Sequence, residues 1–180
     1  MKNVLVLFAE GSEELETVTI VNILRRAGVT VTLAGLTAGP LRGSRGVVIE
    51  PDTTLDEAQA QTYDMVVLPG GQPGTSHLKA DPRVLRLVQD MARQAKYVAA
   101  VCAAPSVLAT AGLLDGRRAT SFPGALTPFP NVTRQDDAVV EDGKLITSRG
   151  PGTAMDFALT LAERLVGRDK RREVEAGLQR

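Results

Sequence analysis

The sequence holds one cysteine, one histidine and no tryptophan in 180 residues, and its 21 basic and 21 acidic side chains cancel. A single thiol cannot close an intramolecular disulfide, so nothing marks a secreted disulfide scaffold. Zero net charge and a pI near 6.6 argue against electrostatic binding to nucleic acid or anionic membrane. No apolar run reaches the roughly 18 residues that span a bilayer. Internal repeats and low-complexity segments are absent. So are G-x-G-x-x-G and any glycine loop followed by Lys-Ser/Thr, which leaves nucleotide binding weakly supported. The chain starts straight into the apolar run Val4–Phe8, with no signal-peptide pattern. The expectation is one cytoplasmic domain over residues 1–180, large enough for its own core.

What is present alternates between strand-like and helix-like segments. Val4–Phe8, Val29–Ala34, Met65–Leu68, Tyr97–Val101 and Leu145–Ser148 are short, nearly continuous apolar runs, as expected of parallel strands covered on both faces. Helices are expected from Glu13 to Ala27 with Ser12 as N-cap, and from Arg83 to Ala95 with Ala95 facing inward. Others are expected at Pro105–Ala111, Thr153–Val166 and Asp169–Leu178, with a minor one near Leu55–Ala60. Short strands are expected at Gly46–Glu50 and Ala119–Pro123, and a hairpin turning at Glu141-Asp142-Gly143. Residues 37–45 are expected to be loop. Such alternation predicts an α/β three-layer sandwich with a mostly parallel sheet.

The chain is organised around Tyr97–Val101, which runs into Cys102 and then into the helix opened by Pro105. Ala100 and Ala104, two before and two after the cysteine, are small enough for the tight turn of a nucleophile elbow. A thiol at a helix start is expected to have a lowered pKa. Three strand ends carry unusual chemistry and should converge at the carboxyl edge of the sheet: Gly70-Gly71, Cys102, and Ser148 to Gly152 with Gly150 and Pro151. Glycines there let backbone amides approach an oxyanion.

Helical phase separates the three acids that open the first helix. Glu16 shares the core stripe of Ile20, Ile23, Leu24 and Ala27; Glu13 lies at its edge and Glu14 points away. A carboxyl on a buried stripe needs a task or a partner. Leu15, Val18 and Val21 form a second apolar stripe on the opposite side, which predicts contact with another subunit. His77 is read as a surface or capping residue.

Five stretches fit a known pattern: residues 11–18 (GSEELETV), 25–28 (RRAG), 67–71 (VLPGG), 99–105 (AAVCAAP) and 148–153 (SRGPGT). On these the chain resembles the DJ-1/ThiJ/PfpI superfamily, and within it the DJ-1/YajL branch. The resemblance implies a flavodoxin-like fold and a homodimer formed partly through the first helix. It also implies a cysteine that accepts a hydrogen bond from a protonated glutamate, here Glu16. Backbone amides at Gly71 and Ala103, beside Gly70, would form an anion or oxyanion pocket. Arg45 would lie at the rim, with the arginines that end the first helix, and Phe122, Ser148, Gly150 and Pro151 are expected as further rim or substrate positions. Animal DJ-1 members carry a histidine beside the cysteine where this chain has Phe122. No Cys-His dyad is therefore expected, and an amidotransferase or protease is disfavoured.

Three readings follow. The first is cysteine-dependent conversion of small carbonyls or glycated adducts, of glyoxalase or deglycase type, with no cofactor and no metal. The second is a redox-sensing stress protein or chaperone working through a sulfinate on Cys102. The third is a plain binding module.

Overall fold

The computed structural model describes residues 1–180. The first strand, β1 (Asn3–Phe8), leads into α1 (Glu14–Arg26) and β2 (Thr30–Gly35). Short pieces follow: β3 (Leu41–Arg42), β4 (Val48–Ile49), β5 (Thr53–Thr54) and α2 (Leu55–Ala58). The middle of the chain supplies β6 (Met65–Leu68), α3 (Gly74–Ala80), α4 (Pro82–Arg93), β7 (Tyr97–Val101) and α5 (Pro105–Thr110). Then come β8 (Arg118–Ala119), β9 (Thr133–Arg134), β10 (Val139–Asp142), β11 (Leu145–Ser148), α6 (Ala154–Val166) and α7 (Arg168–Gly177).

Seven strands form one sheet in the order β10-β11-β7-β6-β1-β2-β5. All neighbours are parallel except β10 against β11. Alternation along the buried strands divides the core in two. Val4, Val6, Phe8, Met65, Val67, Ala99 and Val101 face the layer of α1, α6 and α7. Leu5, Leu7, Ala9, Val66, Leu68, Val98 and Ala100 face the layer of α2 to α5. Period-two side chains buried on both faces explain why these strands read as unbroken apolar runs. The expected three-layer α/β architecture is therefore present.

The chain reverses direction across the sheet between β1 and β6. That is the switch point at whose carboxyl ends α/β sheets form crevices. The turns after β1, β6 and β7 meet there. Loop 9–13 packs so closely on loop 70–74 that a Cβ on Gly11, Gly71 or Gly74 would collide with the facing loop, and a Cβ on Gly70 would collide with the turn at Cys102.

Several local expectations are corrected. Glu13, not Ser12, caps α1, accepting from the Leu15 amide; the Ser12 hydroxyl accepts from the Ala9 amide at 3.1 Å instead. Residues 37–45 are not all loop, because Leu41–Arg42 pairs antiparallel with Val48–Ile49. The expected strand 119–123 is reduced to Arg118–Ala119, since the Phe122 amide turns back to the Cys102 carbonyl. Ala95 is exposed at φ 54° beyond the end of α4, in the left-handed conformation that ends many helices. His77 is exposed, as expected, and sits in mid-α3 with Nδ1 2.9 Å from the Glu10 carbonyl. No helix is long and apolar enough to cross a membrane.

Candidate active site

Cys102 follows β7 directly and adopts φ 63°, a left-handed conformation that costs a non-glycine residue about 1–2 kcal/mol. Its backbone is fixed on both sides. The Cys102 amide donates to the Ser148 carbonyl at 3.0 Å, and the Cys102 carbonyl accepts from Phe122 at 2.8 Å. Ala100 and Ala104 are fully buried beside the turn, so larger side chains would not fit. The sulfur-bearing residue is 8% exposed, within reach of solvent yet mostly covered.

Glu16, in the first turn of α1, is fully buried. Its Oε2 accepts the Gly70 amide at 2.7 Å. Oε1 has no hydrogen-bond partner, and the carboxyl as a whole lies beside the Cys102 side chain. A buried carboxyl oxygen without a donor is best satisfied by carrying a proton itself. Burial lifts Glu16 to about 7, outweighing the Gly70 amide and the Cys102 contact; nearby Glu13 adds to the rise. Burial, and next the charge of an ionised Glu16, push the Cys102 thiol up to about 12, while the amides of Gly71 and Ala103 pull it down. Between those limits the pair carries one proton.

The expectation of a thiol lowered by its helix start is thus not met when Glu16 is ionised. Helix α5 is only six residues long, so its dipole is small, whereas a buried carboxylate beside the sulfur is a full charge.

Glu16, Gly70, Gly71, Cys102 and Ala103 therefore meet at one point. Ser148 joins through its carbonyl only. Its hydroxyl turns away to the Ala138 carbonyl and the Thr153 hydroxyl, each at 2.7 Å. Gly150 lies beside Phe122, whose Cδ2 is 3.5 Å from where a Gly150 Cβ would stand, and Pro151 opens a short 3-10 turn ending at Thr153. Arg45 is held by its backbone amide; its guanidinium is exposed and makes no hydrogen bond or ion pair. Leu15 and Val18 are each 52% exposed and Val21 is half-buried, so the second stripe of α1 is open on the single chain. A groove of about 740 Å³ between α2 and α4 is lined by Asp56, Arg83, Arg86, Asp90 and Lys96, away from this cluster.

Glu14 is buried by a contact that helical phase does not show. It does leave the core stripe, but the β3–β4 turn covers that side and buries it. Its carboxylate accepts the Arg45 amide at 2.9 Å and the Val47 amide at 3.2 Å, and the Ser44 hydroxyl reaches both Glu14 and Glu13. Burial works against the charge, yet these donors prevail and hold the Glu14 carboxyl below its ordinary range.

A mostly parallel α/β sheet with a cysteine on a strand-to-helix elbow, beside a buried carboxyl and two inward amides, defines a thiol-centred protein of the nucleophile-elbow class. The profile of the DJ-1/PfpI family matches residues 2–164, and the chain belongs to that family. It is 44% identical to Protein dj-1beta of Drosophila melanogaster, over 98% of this chain and 96% of that one. The crystal structure of Drosophila melanogaster DJ-1beta superposes with a TM-score of 0.95, covering 99% of this chain and 97% of the other. Toxoplasma gondii DJ-1, oxidized, superposes at 0.95 with 36% identity, over 99% and 98%. The Caenorhabditis elegans protein named glutathione-independent glyoxalase DJR-1.2 is 34% identical, over 94% of this chain and 91% of its own.

Proposed function

We propose that the protein converts reactive dicarbonyls through Cys102, as a cofactor-independent enzyme of glyoxalase or deglycase type. The observation that carries this reading is the buried Glu16 carboxyl, which has one partnerless oxygen and lies beside the elbow cysteine. In this reading the one-proton state has the proton on the Glu16 carboxyl and the charge on sulfur, a distribution that the Gly71 and Ala103 amides favour and that burial of the sulfur opposes.

The thiolate adds to the aldehyde carbon of methylglyoxal, forming a C–S bond, and the carbonyl oxygen takes the Glu16 proton. As that oxygen gains charge, the Gly71 and Ala103 amides stabilise it. Glu16, now a carboxylate, carries the hydrogen from this carbon to its neighbour while the hydroxyl proton passes to the second oxygen. A lactoyl thioester results. Glu16 then takes a proton from water, hydroxide adds, and the C–S bond breaks. Lactic acid leaves, and thiolate and protonated Glu16 are restored with no external oxidant. With no histidine at position 122, Glu16 serves as acid and base in turn. The resemblance to a relative named as a glyoxalase supports the reading. Fully reduced protein is expected to form lactate from methylglyoxal, with the yield lost in Cys102→Ser and Glu16→Gln. A yield no greater than that of Cys102→Ser would remove this function.

A second reading is favoured by the lack of any other thiol. Two equivalents of peroxide would each transfer one oxygen to Cys102 and leave water. The sulfenate would find no resolving cysteine in the chain, and the amide pair would hold a sulfinate. Mass spectrometry after graded peroxide is expected to show a plateau at two added oxygens; sulfonate or no reaction counts against it. We also place the protein in the cytoplasm as a homodimer through Leu15, Val18 and Val21. Val18→Glu is expected to yield monomers by sedimentation; a wild type already monomeric would refute the pairing.

A further inference from the structure

The chain has only six aromatic side chains. Phe8 and Phe157 are fully buried, Tyr63 nearly so, and Tyr97 and Phe129 are half-buried. Phe122 alone is exposed, with 51% of its surface open. It forgoes apolar burial that the other rings obtain, and it does so beside the one cysteine.

Its position is fixed by the elbow itself. The Phe122 amide donates to the Cys102 carbonyl at 2.8 Å, and its own carbonyl accepts from Ala125 at 3.0 Å, which closes the turn that follows. Across the mouth, ring atom Cδ2 lies 3.5 Å from where a Cβ on Gly150 would stand. The Phe122 backbone is thus tied to the cysteine turn while its ring stands against the Gly150 backbone of the 148–152 loop. A phenyl ring brings no proton and no charge, so its contribution is a flat apolar face.

We propose that Phe122 is a specificity-determining residue, whose ring receives the apolar or aryl substituent of the molecule that reacts at Cys102. Substituted 2-oxoaldehydes such as arylglyoxals are then preferred over glyoxal, which has no substituent to place there. This rests on Cys102 as the reacting group and gives the dicarbonyl reading a substrate class.

Two measurements separate the two ideas. The first is the rate of Cys102 modification by N-phenylmaleimide relative to N-methylmaleimide, in wild type, Phe122→Ala and Phe122→Tyr. The reagents' intrinsic reactivities cancel when ratios are compared between proteins. The second is kcat/KM for phenylglyoxal relative to glyoxal in the same three proteins. Contact between aromatic groups predicts that both ratios fall about threefold or more in Phe122→Ala and are retained in Phe122→Tyr. A general disturbance of the elbow would slow both reagents together and leave the ratios alone. An unchanged ratio in Phe122→Ala, in either measurement, overturns the inference, as does a Cys102 that neither maleimide modifies. If the maleimide ratio falls while neither glyoxal is turned over, the role of the ring stands and the dicarbonyl reading fails.

Discussion

A Cβ on Gly70 would lie 2.5 Å from the Cβ of Cys102 and 3.0 Å from the Ala103 amide nitrogen. The bare backbone of Gly70 is therefore what lets the β6 turn close over the cysteine while its amide reaches Glu16 at 2.7 Å. Gly70→Ala must push the elbow or the carboxyl out of place. We expect it to cost about 1–3 kcal/mol in urea unfolding, the usual range for overpacking, and to slow methylglyoxal turnover at least tenfold. Turnover and stability both at wild-type values would show that the contact is not tight.

Glu14 is expected to be a stability residue. Glu14→Ala leaves the Arg45 and Val47 amides without acceptors in a half-covered turn, a loss of about 2 kcal/mol or more in urea unfolding. Hydrogen exchange at those two amides should quicken before exchange elsewhere. Because donors hold the Glu14 carboxyl below its ordinary range despite burial, its contribution is present at neutral pH and fades as acid protonates it. A Glu14→Ala protein with unchanged exchange at 45 and 47 would contradict this.

The Cys102–Glu16 pair works in the opposite sense. Glu16 is raised from 4.5 to about 7 in the folded protein. Between those values the folded state binds more protons than the unfolded chain, so stability falls as pH rises through this window. The total decline attributable to the pair is about 3 kcal/mol. Urea midpoints measured from pH 4.5 to 7.5 should show that decline in wild type, compared with the Glu16→Gln/Cys102→Ser double variant. Parallel curves for the two proteins would refute the raised carboxyl.

Much of this was legible in the residues because it depends on local constraints. Small residues around Cys102 allow only a tight turn, and the i, i+4, i+7 phase puts Glu16 under α1 with Ile20, Ile23 and Leu24. What was not legible depends on segments distant in sequence. Glu14 looks solvent-facing on a helical wheel until a hairpin thirty residues later closes over it. Ala95 carries no mark of a helix stop, since glycine is the residue that normally signals one; its left-handed turn is fixed instead by the Lys96 amide bonding back to the Met91 carbonyl at 2.9 Å. The charge state of the thiol is likewise collective. A helix start favours the thiolate and burial opposes it, and which prevails depends on where Glu16 keeps its proton.

That last point admits a direct measurement: the rate of Cys102 alkylation by iodoacetamide against pH, in wild type and Glu16→Gln. If Glu16 holds the proton, the wild-type rate rises through an inflection near or below 7, far under the ordinary thiol value of about 8.5, and Glu16→Gln moves the inflection. A wild-type inflection at or above the ordinary value, unchanged by Glu16→Gln, would mean that the sulfur keeps its own proton and that the proposed nucleophile does not exist.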